Sequence, residues 1–271
     1  MNVATRLTWP ALLAVALLLP VDLALAYPDG PTGAVTDLAP TCAHCHASLQ
    51  RDSLKGTPEA FVNFFMVENR HYKPIEEGAG EYKAMSPEDR ARLLRDVKAM
   101  DAAASVTLTA PTSARPGQEI TVTVTAKGGA GPVVGMFLVD TPLRFQARSP
   151  AGDGWLIVGP PKVVGPDGKE QTRWIDGRAP GLKKNANSAV VYGVKSDLEK
   201  KEFPESKATW TLKAPQEPGT YTLTAAFHYG TEKASPVGRV ERPGRSPLPR
   251  GGFESRSGRI LFSQPVTVTV R

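Results

Sequence analysis

The chain changes its hydrophobic rhythm near residue 103. Up to that point apolar residues come in one unbroken run or at spacings of three and four. Beyond it they alternate with polar ones. The unbroken run is Ala11 to Leu19 in "MNVATRLTWPALLAVALLLPVDLALA". It is too short to span a hydrocarbon core of ~30 Å. Arg6 precedes it and Ala24-Leu25-Ala26 follows, a small-x-small sequence, so residues 1–26 read as a signal peptide. The expected location is periplasmic or otherwise extracytoplasmic, with membrane association only if the segment stays uncleaved.

Two helices are expected over residues 27–103. The first starts at Thr57, with Pro58 at the first helical position and Glu59 on the positive end of the dipole; Phe61, Phe64 and Phe65 share a face. The second starts at the capping residue Ser86, runs through Pro87, Glu88 and Asp89, and buries Leu93, Leu94, Val97 and Met100. The stretch between them, "HYKPIEEGAGEYKAM", reads as a loop long enough to close over something.

Residues 104–271 carry strand-like runs: "SVTLTAP", "QEITVTVTA", "VVGMFLVD", "GWLIVGPPKVVG", "SAVVYGVK", "KATWTLKAP", "GTYTLTAAFHYG" and "RILFSQPVTVTV". In Ile120-Thr121-Val122-Thr123-Val124 the alternation puts the apolar side chains on one face of a sheet. "ARPGQ", "PDGK" and "PQEPGT" supply turns. Short strands in this number predict an immunoglobulin-like β-sandwich. Trp155, Trp174, Trp210 and Phe227 are its expected large core residues. Residues 231–259, rich in Gly, Pro and Arg, read as a long exposed connection between the last two strands.

Composition adds little to this picture. Gly and Pro, 25 each, fit a turn-rich β protein. The formal net charge of +6 is modest, and no basic helix or aromatic-laced basic stripe marks a nucleic-acid reader. Both cysteines fall in one place, "APTCAHCHASL", so no disulfide can staple the β region.

Cys42-Ala43-His44-Cys45-His46 is C-x-x-C-H, the attachment sequence for c-type haem. Thiols three apart at the start of a helical turn reach the two vinyl groups of one porphyrin. The next residue, His46, then binds the iron axially. Attachment requires an exported chain and the cytochrome c maturation machinery, and the signal peptide agrees with the first. A Cys42–Cys45 disulfide would close too small a loop to stabilise much. A redox dithiol wants a preceding strand, and a proline-rich loop stands there instead. Zinc is the serious rival: Cys42, Cys45, His44 or His46, and His71 make four ligands, without the usual second closely spaced pair.

The second axial position decides between an electron carrier and an open, reactive iron. Met85, His71, Met66 and Met100 are its candidates. Met100 is in register with the buried stripe, and Met66 lies off the phenylalanine face. Met85 precedes the cap Ser86, where a hydrophobic staple would pair it with Arg90, a poor apolar partner. His71 follows Phe64 by two turns and would give bis-histidine ligation. Met85 is the preferred ligand, with His71 or an open face as alternatives.

Residues 40–103 resemble a small class I cytochrome c domain, through "CAHCHAS", "GTPEAFVNFFMVENRHYKPI" and "MSPEDRARLLRDVKAM". The resemblance implies an all-α domain holding one covalent haem c and its iron through Cys42, Cys45 and His46, with a distal methionine at Met85. "VVGMFLVDT" through "ATWTLKAPQEPGTYTLTAAFHYG" is similar to Reeler-like or immunoglobulin-like extracytoplasmic modules, which implies a sandwich. The expected whole is a haem domain over 27–103 followed by a sandwich over 104–271, moving single electrons to a redox partner protein, an acidic one if the basic 231–259 segment steers it. A binding or adhesion module with a structural or sensory haem or zinc is the rival from another class. Peroxidase-like catalysis, with His71 as acid/base, is the third reading.

Overall fold

The computed structural model describes residues 68–69, 71–142, 147–176, 180–230, 239–242, 245–249 and 259–271. The expected signal peptide, the cysteine cluster and the helix expected from Thr57 lie outside them. What is described is mostly β-sheet with few helices, and its two larger sheets form a β-sandwich.

The chain enters through a wide helical turn at His71 and Tyr72, then forms α1 (Lys73–Glu77), a 3₁₀ turn (Gly80–Ala84) and α2 (Pro87–Ala103). The stretch expected to be a loop thus contains a helix. Pro74 stands in its first turn, and Gly78 ends it in the left-handed conformation at φ 67°. Its N–H bonds back to Ile75 O at 3.2 Å. That is proline at the start and glycine past the end of a helix. At Gly78 the positive φ favours glycine, and a Cβ would lie 2.6 Å from Arg90 Nη1, so the end of that side chain would have to shift. α2 begins as expected: the Ser86 hydroxyl accepts the Asp89 N–H at 3.1 Å, and Leu93, Val97 and Met100 are buried. Tyr72, Ile75, Tyr82, Leu93 and Val97 make the small core of this helical unit.

α2 passes through Ala104 into β1 (Ser105–Thr109) with no linker. The first sheet adds β3 (Glu119–Lys127), β8 (Glu205–Lys213), β5 (Leu156–Ile157) and β6 (Lys162–Val164), all antiparallel. The second holds β2 (Ser113–Ala114), β13 (Val266–Val270), β9 (Gly219–Gly230), β4 (Ala130–Val139) and β7 (Ser188–Lys195) in that order, with β12 (Arg259–Phe262) also on β9. Only β2 runs parallel to its neighbour among these pairs. Alternation sends Ile120, Val122 and Val124 of β3 and Trp210 and Leu212 of β8 inward. They meet Met136 and Leu138 of β4 and Leu223 and Phe227 of β9 in one core. Trp155, Trp174, Trp210 and Phe227 are all buried in it, as expected. Burial of each such side chain contributes ~1.5–3 kcal/mol before entropy is counted. Trp210 also satisfies its indole, donating to Ala186 O at 2.8 Å.

Two expected single strands are interrupted by proline. Pro160 and Pro161 separate β5 from β6, and Pro265 separates β12 from β13; none of the three ring nitrogens can donate to a ladder. At the second break Ser263 Oγ accepts the Ala225 N–H at 3.0 Å in place of a strand carbonyl. The gap between the sheets on the β6/β7 side is crossed by residues 170–176. Gln171 N–H bonds Val163 O at 2.9 Å, and α3 (Arg173–Asp176) buries Trp174 and Ile175. The 231–259 connection contains a hairpin of its own, β10 (Arg239–Arg242) with β11 (Arg245–Pro249), pairing Val240 with Leu248.

Candidate functional site

Of the residues expected to hold haem, Cys42, Cys45 and His46 lie outside the described residues; Met85 and His71 lie within. Met85 follows the 3₁₀ turn, and its N–H donates to Tyr82 O at 3.1 Å. Its half-buried side chain packs on the core formed by Tyr72, Ile75, Tyr82, Leu93 and Val97. Arg90 does reach it, by donating from Nη1 to the Met85 carbonyl at 3.1 Å, a polar contact where the staple would be apolar. His71 is buried in the entering turn. A thioether and an imidazole therefore sit in the same helical unit, both chemically suited to iron.

Sequence reasoning missed a polar centre that stands out among the described residues. Asp101, near the end of α2, accepts from Tyr72 Oη at 2.6 Å, Tyr229 Oη at 2.8 Å, Arg259 Nη2 at 2.9 Å and Arg259 Nε at 3.1 Å. The Arg259 side chain is 4% exposed and that of Asp101 15%. Arg259 also lies 5.4 Å from the centre of the Tyr72 ring, with Lys98 Nζ at 5.1 Å. The centre joins α2 and the entering turn to β9 and β12, so it fastens the helical unit to one end of the sandwich. Close backbone packing supports it: a Cβ at Gly128 (φ 76°) would sit 3.0 Å from Ala103 O.

A signal for Asp101 existed. A carboxylate in the last turn opposes the helix dipole, and α2 has no basic residue in that turn. A residue so placed gains from donors or a cation brought to it from elsewhere in the chain.

This centre is built for holding. Both carboxylate oxygens are engaged. Burial, helped by the Asp101 charge and hydrogen bond, pushes the Tyr72 and Tyr229 phenols well above the ordinary tyrosine range. They stay protonated near neutrality and offer no base. Among the described residues no three His, Cys, Asp or Glu side chains converge as a metal site, and no helix is long and apolar enough to cross a membrane.

No family model matches the chain, and a search of curated proteins finds no significant match.

Proposed function

We propose that the chain is an exported c-type cytochrome that carries single electrons and docks through an immunoglobulin-like sandwich. The observation that carries the reading is Cys42-Ala43-His44-Cys45-His46, with an export signal ahead of it. Cys42 and Cys45 would anchor the porphyrin, His46 would bind iron on one side, and Met85 on the other. The half-buried thioether on a small apolar core supports Met85, and buried His71 is the alternative. A bound haem supplies a one-electron couple, whose potential a methionine raises relative to a second histidine. The protein's own share is to hold these ligands and exclude water.

The test is the protein made with a cytochrome maturation system. A pyridine haemochrome spectrum for covalent haem is expected, lost in Cys42→Ala/Cys45→Ala. Met85→Ala should abolish the methionine-to-ferric-iron charge-transfer band. If His71→Ala alone changes the axial spectrum, His71 is the ligand. A colourless product sinks the carrier reading. A binding module with a structural metal then takes its place, a role consistent with the size of the sandwich; zinc analysis would separate that outcome.

A further inference from the structure

We propose that Arg90 is a carboxylate-binding residue beside Met85, and that its ligand is a propionate of the haem that Met85 would hold. The proposal rests on the cytochrome reading above and adds a residue to that site. Its warrant is the guanidinium itself. Nη1 donates to Met85 O at 3.1 Å. Nε is buried and has no hydrogen-bond partner, and among the described residues no carboxylate pairs with Arg90. The side chain is partly buried, and the backbone of Gly78 lies against it. A Cβ there would meet Nη1 at 2.6 Å, Cζ at 2.9 Å and Nε at 3.3 Å. Arginine is seldom buried without a paired anion, and a buried donor left unbonded is costly, more so when it is charged.

The surroundings deepen the imbalance. Arg90 stands near the N-terminus of α2, where the helix dipole disfavours a cation. The acids next to it in sequence do not answer it. Asp89 is paired with Arg92, and Glu88, two positions away, lies on another side of the helix. Asp101 has the mirror-image problem at the other end of α2, and there the chain supplies two phenols and a guanidinium. Arg90 has no such counterpart among the described residues. What it has left to offer is specific in shape. With Nη1 committed to the Met85 carbonyl, Nε and Nη2 remain as a planar side fork that matches the two oxygens of one carboxylate. Met85 ties the fork to the haem, since its carbonyl fixes the guanidinium and its thioether is the proposed iron ligand. Haem carries its propionates as carboxylates at the rim of the ring. Pairing with one would compensate the Arg90 charge and, through Nη1, hold the Met85 main chain.

The experiment compares thermal midpoints of the full chain made with and without a cytochrome maturation system. Without haem, Arg90→Met removes an uncompensated charge and should leave the midpoint unchanged or raise it. With haem the same substitution should lower it by several degrees, because the carboxylate loses its partner. Arg90→Lys keeps the charge without the fork and should fall between the parent and Arg90→Met in the haem-loaded chain. The source of the carboxylate is read separately, from reduced-minus-oxidised infrared difference spectra of haem labelled at its carboxylates with heavy carbon. The isotope-sensitive band should move in Arg90→Met and stay in place in Arg95→Met, which alters an exposed arginine of the same helix. An equal fall with and without haem assigns Arg90 to the Met85 turn alone and overturns the proposal. An unchanged midpoint in haem-loaded Arg90→Met overturns it too. A labelled band indifferent to Arg90 overturns haem as the source. Absence of a haemochrome overturns the cytochrome reading itself and this proposal with it, a separately visible result.

Discussion

Asp101 stands where the negative end of the α2 dipole disfavours it, and two phenols and a guanidinium outweigh that cost. Removing one member of a mostly buried ion pair leaves the other uncompensated, so Asp101→Asn should destabilise the protein by about 3 kcal/mol in urea titration. Tyr229→Phe loses one hydrogen bond to a charged acceptor, about 1.5 kcal/mol. The centre also fixes an alkaline limit. Unfolded tyrosine ionises near pH ~10; burial first, then Asp101, holds Tyr229 and Tyr72 higher in the folded protein, with Arg259 opposing and Lys98 beside the Tyr72 ring. The folded state keeps protons that the unfolded state releases. Stability is therefore full below about pH 10 and falls as pH rises further, less steeply in Tyr229→Phe. Denaturation midpoints from pH 8 to 11 check this. The residues that were legible act locally: Ser86 caps its own helix, and Trp210 is one of the most apolar side chains of an alternating strand. Asp101 was not, because its partners lie up to 158 positions away.

At the scale of elements, two devices hold single helices and strands in place. Gly78 ends α1 at positive φ against Arg90, so Gly78→Ala should cost about 1 kcal/mol or more, seen as a lowered thermal midpoint. Its signature, "KPIEEG", was in the sequence all along; weak periodicity over five residues hid the helix. The other device guards an edge. Gln171 uses its amide as a stand-in strand, accepting the Tyr192 N–H at 2.9 Å and donating to Tyr192 O at 3.2 Å. β7 is the last strand of its sheet, and an uncovered edge invites pairing with another chain. Gln171→Ala is expected to raise concentration-dependent association in analytical ultracentrifugation, with little change for Gln171→Asn only if the shorter amide still reaches. Arg173, stacked 4.9 Å from the Tyr192 ring, helps to hold the same segment against the strand.

For the whole molecule, the sandwich was legible because strand signals are local and repeated: every run expected as a strand became a strand or a pair of strands. The order of the strands was not, since β1, β3 and β8 lie side by side across large gaps in sequence. The direct passage from α2 into β1 falls where the rhythm changes near residue 103, and it makes the helical unit an extension of the framework rather than a tethered neighbour. That arrangement bears on the order of events in the living cell. Asp101 and Arg259 lie 158 positions apart, so their ion pair cannot form until nearly the whole polypeptide exists. A chain cut short before β12 would keep its cysteine motif and lose the guanidinium that meets Asp101 of α2.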